Sequence, residues 1–101
     1  MKKNSKEKAI WTQLEKVIDP EMYISIVDLG LVYDVHVDTS HVQVDMTLTT
    51  LGCPLFPVIE RDIEARLTEL NGIESVKVQL TFDPVWSTDK MTEKGKAILG
   101  I

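Results

Sequence analysis

A single cysteine, Cys53, stands in a Gly52-Cys53-Pro54 turn just ahead of a run with helical apolar spacing. A helix N-terminus offers unpaired N–H groups and a partial positive charge, and both favour a thiolate. Gly52 lets the backbone turn there without a Cβ clash. That pattern suits a nucleophile, a redox thiol or a shared metal ligand. The same residue also reads as a small buried apolar side chain. Thr49 and Thr50 precede the turn, with hydroxyls able to bond a ligand, tune the thiol or close the turn onto backbone. Asp19-Pro20-Glu21 holds two carboxylates in a stiff segment, as hard metal ligands, as acid and base, or as a solvated helix exit. Asp83-Pro84-Val85-Trp86-Ser87 is a second rigid corner, where Trp86 either lines a cleft or packs on the core. His36 and His41 read as solvated surface residues. There is no His-x-x-x-His, no Cys-x-x-Cys, no Gly-rich phosphate loop and no Ser/His/Asp arrangement, which argues against an NTPase, a dinucleotide enzyme or a self-contained metalloenzyme.

The elements that must position these residues follow from periodicity. Ile10, Leu14, Val17 and Ile18 fall on one helical face, predicting a helix over 5–18, with Asn4 and Glu7 as a capping box and Pro20 as its stop. Residues 21–30 read as a loop, with Gly30 as its turn residue and Met22-Tyr23-Ile24 as an apolar docking patch if exposed. Residues 31–37 and 42–48 alternate around the turn Asp38-Thr39-Ser40-His41, predicting a β-hairpin. Leu31, Tyr33, Val35 and Val37 share one face of the first strand. In the second, Val42, Val44, Met46 and Leu48 oppose Gln43, Asp45 and Thr47. Helical spacing returns over 55–70, with Pro54 or Pro57 in the first turn and Asn71-Gly72 as the stop. Residues 74–82 form a third strand, and Ser87 or Thr88 caps a last short helix carrying Met91, Ile98 and Leu99. The order α-β-β-α-β-α predicts an α/β (α+β) two-layer sandwich, a small mixed three-stranded sheet covered by helices.

At 101 residues the chain fits a single domain over 1–101, and 44% hydrophobic with 27% charged residues is an ordinary globular balance. A net charge of −5 without a basic stripe argues against nucleic acid as partner. No apolar run is long enough for a membrane span and no signal-peptide core is visible, so no membrane partner and a cytoplasmic location are the expectations. One cysteine excludes an intrachain disulfide and the common structural zinc sites.

Four stretches, taken in order and spacing, carry a resemblance: Val17-Ile18-Asp19-Pro20-Glu21; Ile26 to Tyr33; Met46 to Pro54; and Asp83 to Ser87 with Met91 and Leu99-Gly100 following. Over roughly residues 8–100 the chain resembles the iron-sulfur cluster assembly domain family of the bacterial SufT and PaaD proteins and the eukaryotic cytosolic cluster-targeting factors. The resemblance implies an accessory factor in cluster assembly or transfer rather than an enzyme. Its reactive cysteine maps onto Cys53, its neighbouring acidic and hydroxyl positions onto Asp19, Glu21, Thr49 and Thr50, and its signature tryptophan onto Trp86. The implied cargo is a transient iron-sulfur cluster, with no permanently bound cofactor. The implied partners are the assembly machinery and client apo-proteins.

The chemistry is coherent: thiolates are soft ligands, but one cysteine cannot fill a cluster's positions. Cys53 would therefore act as a shared ligand, with a second copy in a homodimer, a client or a small thiol supplying the rest. Two alternatives remain: a client-docking adaptor that holds no cluster, and a thiol-dependent enzyme using Cys53 with Asp19 or Glu21. No histidine base is evident beside the cysteine in sequence, which weighs against the second. The cluster reading further expects Asp19 and Glu21 to converge on Cys53.

Overall fold

The computed structural model describes residues 5–49 and 55–101. Its elements are α1 (Ser5–Leu14), β1 (Val32–Asp38), β2 (His41–Met46), α2 (Phe56–Thr68), β3 (Ser75–Leu80), a 3-10 turn at Thr88–Lys90 and α3 (Glu93–Leu99). The strands stand in the order β1-β2-β3, with β1 antiparallel and β3 parallel to β2. The β2–α2–β3 run is thus a crossover unit, and α2 packs against β3 and α1. This is the mixed sheet with helical cover that the periodicity predicts.

One face of the sheet is dry. Val35, Val42, Val44 and Met46 join Ile10 and Leu14 of α1 and Ile59, Ile63 and Leu67 of α2 in one core cluster. The opposite face carries Asp34, His36, Gln43, Asp45, Lys77 and Gln79 in contact with solvent, with side chains alternating along each strand. At β1 the alternation is broken. Val32 pairs with Met46 and Asp34 with Asp45, so Tyr33 is an extra residue in a bulge. Tyr33 is accordingly half-buried at the sheet margin rather than a core residue.

The first helix is shorter than its apolar pattern. After Leu14, Lys16 N–H donates to Gln13 O (3.0 Å) and Val17 N–H to Leu14 O (3.1 Å), a tightening to i−3 bonding that ends the helix. Pairing then takes over: Ile26 N–H donates to Val17 O and Ile18 bridges Ser25. Val17 stays buried, but Ile18, expected on the buried face, is exposed. Thr47, expected outward, is fully buried, because β2 ends at Met46 and the pleat does not continue; its N–H donates to Leu31 O (2.8 Å). The last helix is capped by Thr92, not by Ser87 or Thr88: Gly95 N–H donates to Thr92 Oγ1 (3.0 Å). Of the residues expected on this helix, Ile98 and Leu99 lie on it and are exposed, while Met91 stands ahead of it and is buried. The capping box at Asn4 lies outside the described residues. Among the described residues no helix is long and apolar enough to cross a membrane.

Candidate functional site

The parallel pair β2 and β3 brings the segments that follow them to the same edge of the sheet. Thr81 N–H donates to Met46 O (2.8 Å), and the 47–49 segment leaves beside it. In open α/β sheets the carboxyl ends of parallel strands are the usual place for ligands. The chain leading from β2 to α2 runs through Thr49, Thr50, Gly52 and Cys53. Thr49 is half-buried, whereas Thr50, Gly52 and Cys53 lie outside the described residues. At the far end of this connection α2 begins with Leu55 as N-cap and Pro57 in its first turn. Among the described residues no side-chain hydrogen bond caps this helix, and no acidic residue stands in its first turn.

The 26–30 loop lies along the same edge and is held by the C-terminal segment. Gly30 has φ +77°, and a Cβ there would sit 2.1 Å from the Lys90 carbonyl oxygen, so only glycine fits. Trp86 is half-buried, and its Nε1–H donates to Leu29 O (2.7 Å), tying the Asp83–Ser87 corner to that loop. Trp86 therefore packs on the core, the plainer of its two sequence readings. The Asp83–Pro84 bond is cis, and Tyr33 Oη–H donates to Pro84 O (2.8 Å). Burial holds the Tyr33 phenol above its ordinary pKa. Lys90 Nζ lies 5.2 Å from the Tyr33 ring centre. Trp11, Val27, Val32, Tyr33, Pro84 and Lys90 line a cleft of about 490 Å³ at this edge.

Asp19 is committed within its own turn. It is only 5% exposed, and its Oδ1 accepts from the N–H groups of Glu21 (2.7 Å) and Met22 (3.0 Å). Its carbonyl accepts from Tyr23 N–H (2.8 Å), and Tyr23 takes φ +58° to close the turn. Glu21 is exposed. In the patch expected at 22–24, Ile24 is buried, Met22 half-buried and Tyr23 81% exposed. The patch is thus one aromatic ring, near exposed Ile18 and Ile98 around a depression of about 290 Å³. The expected convergence of Asp19 and Glu21 on Cys53 involves a residue outside those described.

Sequence reasoning missed Asp28. Its Oδ1 accepts from Thr92 Oγ1–H (2.8 Å) and its carbonyl from Thr92 N–H (3.0 Å). Gly95 packs so closely on Asp28 O that a Cβ would fall 2.5 Å away. The position stood inside the quoted Ile26–Tyr33 stretch, but nothing local marks its partner 64 residues on.

A small α+β domain with an open sheet, a crossover unit and one loop delivered to a helix N-terminus is the class that this fold and site define. The chain belongs to the iron-sulfur cluster assembly protein family, whose model matches residues 7–80. It is 43% identical over 89 residues to the Fe-S protein maturation auxiliary factor YitW of Bacillus subtilis, covering 87% of each chain. It is 45% identical over 86 residues to the Fe-S protein maturation auxiliary factor SufT of Staphylococcus aureus, covering 84% of this chain and 98% of that one. A crystal structure of a domain of unknown function from Bacillus anthracis superposes with a TM-score of 0.90 at 37% identity, over 96% of this chain and 93% of that one.

Proposed function

We propose that this chain is an accessory factor in iron-sulfur protein maturation that passes clusters, as cargo, to client proteins, with Cys53 as the transient ligand or reactive thiol. The observation that carries the reading is family membership, together with similarity to two maturation auxiliary factors over more than four fifths of each chain. The topology is compatible with it: the segment bearing Cys53 joins the carboxyl end of a parallel strand to the start of α2. One thiol per chain leaves a cluster incompletely ligated, so a second copy, a client thiol or a small thiol completes the set, and release is easy. Thr49, Thr50 and Gly52 shape the thiol loop in this reading, and Asp19, Glu21 and Trp86 shape its surroundings. No catalysed reaction is assigned, and the cytoplasm is the setting that suits such clients.

The test is an anaerobic titration with a donor-held cluster, followed by visible absorption, on wild type and Cys53→Ser. Uptake by the wild type that is lost in the variant is expected. Equal uptake by both would remove Cys53 as ligand.

The exposed Tyr23 ring favours a second reading, a client-docking adaptor that holds no cluster. Client capture that survives Cys53→Ala and fails in Tyr23→Ser, with no cluster uptake by either, would select it.

A further inference from the structure

The open face of the sheet brings three donors of mixed type together. His36 Nε2 lies 2.8 Å from Asp45 Oδ2 and 3.6 Å from Asp34 Oδ2. One donor atom from each of the three residues lies within 4.8 Å of the others. Ligands about 2.0–2.2 Å from a shared ion stand roughly 3.0–3.5 Å apart, so the imidazole already has both carboxylates at about ligand spacing. Each carboxylate is also tethered by its other oxygen. Asp34 Oδ1 accepts from Val35 N–H (2.8 Å) and Asp45 Oδ1 from Gln43 Nε2–H (2.8 Å). Both free Oδ2 atoms are thereby turned to one nitrogen, the supporting arrangement that metal ligands show. The bulge at Tyr33 sets Asp34 opposite Asp45, while His36 stands opposite Gln43.

We propose that Asp34, His36 and Asp45 form a surface binding site for a divalent first-row transition ion, with water completing its coordination. One imidazole and two carboxylates suit Zn²⁺, Fe²⁺ or Mn²⁺ better than soft Cu(I). The site is independent of the cluster reading and of Cys53.

An ion must displace the proton that His36 shares with Asp45. That hydrogen bond, aided by the charges of Asp34 and Asp45, raises the His36 pKa. Other polar groups on this face are Asp38 on β1, His41 and Gln43 on β2, and Ser75, Lys77 and Gln79 on β3, with Thr81 and Asp83 lining a depression beside Asp34 and Asp45. Among these Lys77 is the one cation.

The experiment is a Zn²⁺ titration of the full chain in the Cys53→Ser background, which removes the competing thiol. Heat and the side-chain nitrogen NMR signals of both histidines are recorded. Saturable 1:1 binding that moves the His36 signals is expected. His36→Asn should abolish it, Asp34→Asn and Asp45→Asn should each weaken it at least about tenfold, and His41→Asn should leave it unchanged. These positions lie on the solvent face, and amide spectra report whether each variant is folded. Absence of saturable binding, binding indifferent to His36→Asn, or binding that moves His41 instead would each overturn the proposal.

Discussion

Asp19 joins two demands in one side chain. Its carboxylate accepts two backbone N–H bonds that close the 19–23 turn, and the same residue is the acidic position that the family resemblance assigns to the site. Substitution can separate them. Asp19→Ala leaves two turn N–H groups without their acceptor and is expected to cost about 2 kcal/mol in urea unfolding. Asp19→Asn keeps an oxygen in place and should cost about 1 kcal/mol or less. A fold that tolerates Asn while client maturation fails would assign the charge to function; loss of both in proportion would make Asp19 a turn former only. His36 gives a second prediction at this scale. Its pKa is raised by the Asp45 hydrogen bond, so any stabilisation from the pair is present below the unfolded histidine pKa and fades as pH rises through the folded one. Asp45→Asn should bring the His36 NMR titration midpoint down, and an unmoved midpoint would contradict the assignment. The sequence disclosed Asp19, Glu21, Thr49, Thr50 and Cys53 as residues of interest through their motifs. It did not disclose the Asp34–His36–Asp45 group. His36 reads as a solvated histidine until the strand register, offset by the Tyr33 bulge, brings in Asp45 from the neighbouring strand.

At the scale of elements, most of the fold was legible because burial and periodicity agree. The face carrying Val42, Val44, Met46 and Leu48 and the face carrying Ile59, Ile63 and Leu67 are both buried as their spacing requires. Errors gathered at element ends, where tertiary partners decide. α1 stops at Leu14 because Val17 and Ile18 turn to pair with Ile26 and Ser25. Thr92 rather than Ser87 caps α3 because its N–H and hydroxyl also bind Asp28, a partner that no local pattern reveals. Two expectations follow. Gly30→Ala combines an unfavourable positive φ with a backbone clash at Lys90, and should destabilise by roughly 3 kcal/mol or more, read as a lowered urea midpoint. Thr92→Ala should cost about 1–2 kcal/mol, with Thr92→Ser recovering most of it. A neutral Gly30→Ala would mean that the 26–30 loop and Lys90 separate easily.

For the whole molecule, the contrast between the core and the C-terminal segment has a consequence for stability. The sheet and the first two helices share one apolar cluster, whereas residues 84–95 dock on the 26–30 loop chiefly through polar and close backbone contacts. These are Trp86 to Leu29, Thr92 to Asp28, and the packing of Gly30 and Gly95. Met91 is the buried apolar side chain of this segment, and within α3 only Gly95 is buried. Few apolar contacts mean a low free energy of local opening. Amides of the 3-10 turn and α3 should therefore exchange with deuterium well before those of β2, through an opening that leaves the sheet intact. Trp86→Phe removes the indole N–H from Leu29 O and should accelerate exchange at 88–99 several-fold, while β2 amides change only as far as global stability does. Equal acceleration in β2 and α3 would show instead that the segment opens only with the whole domain. The outcome bears on function, because a segment that opens alone would expose the Leu29–Gly30 edge beside the 490 Å³ cleft without disturbing the strands that carry the thiol loop.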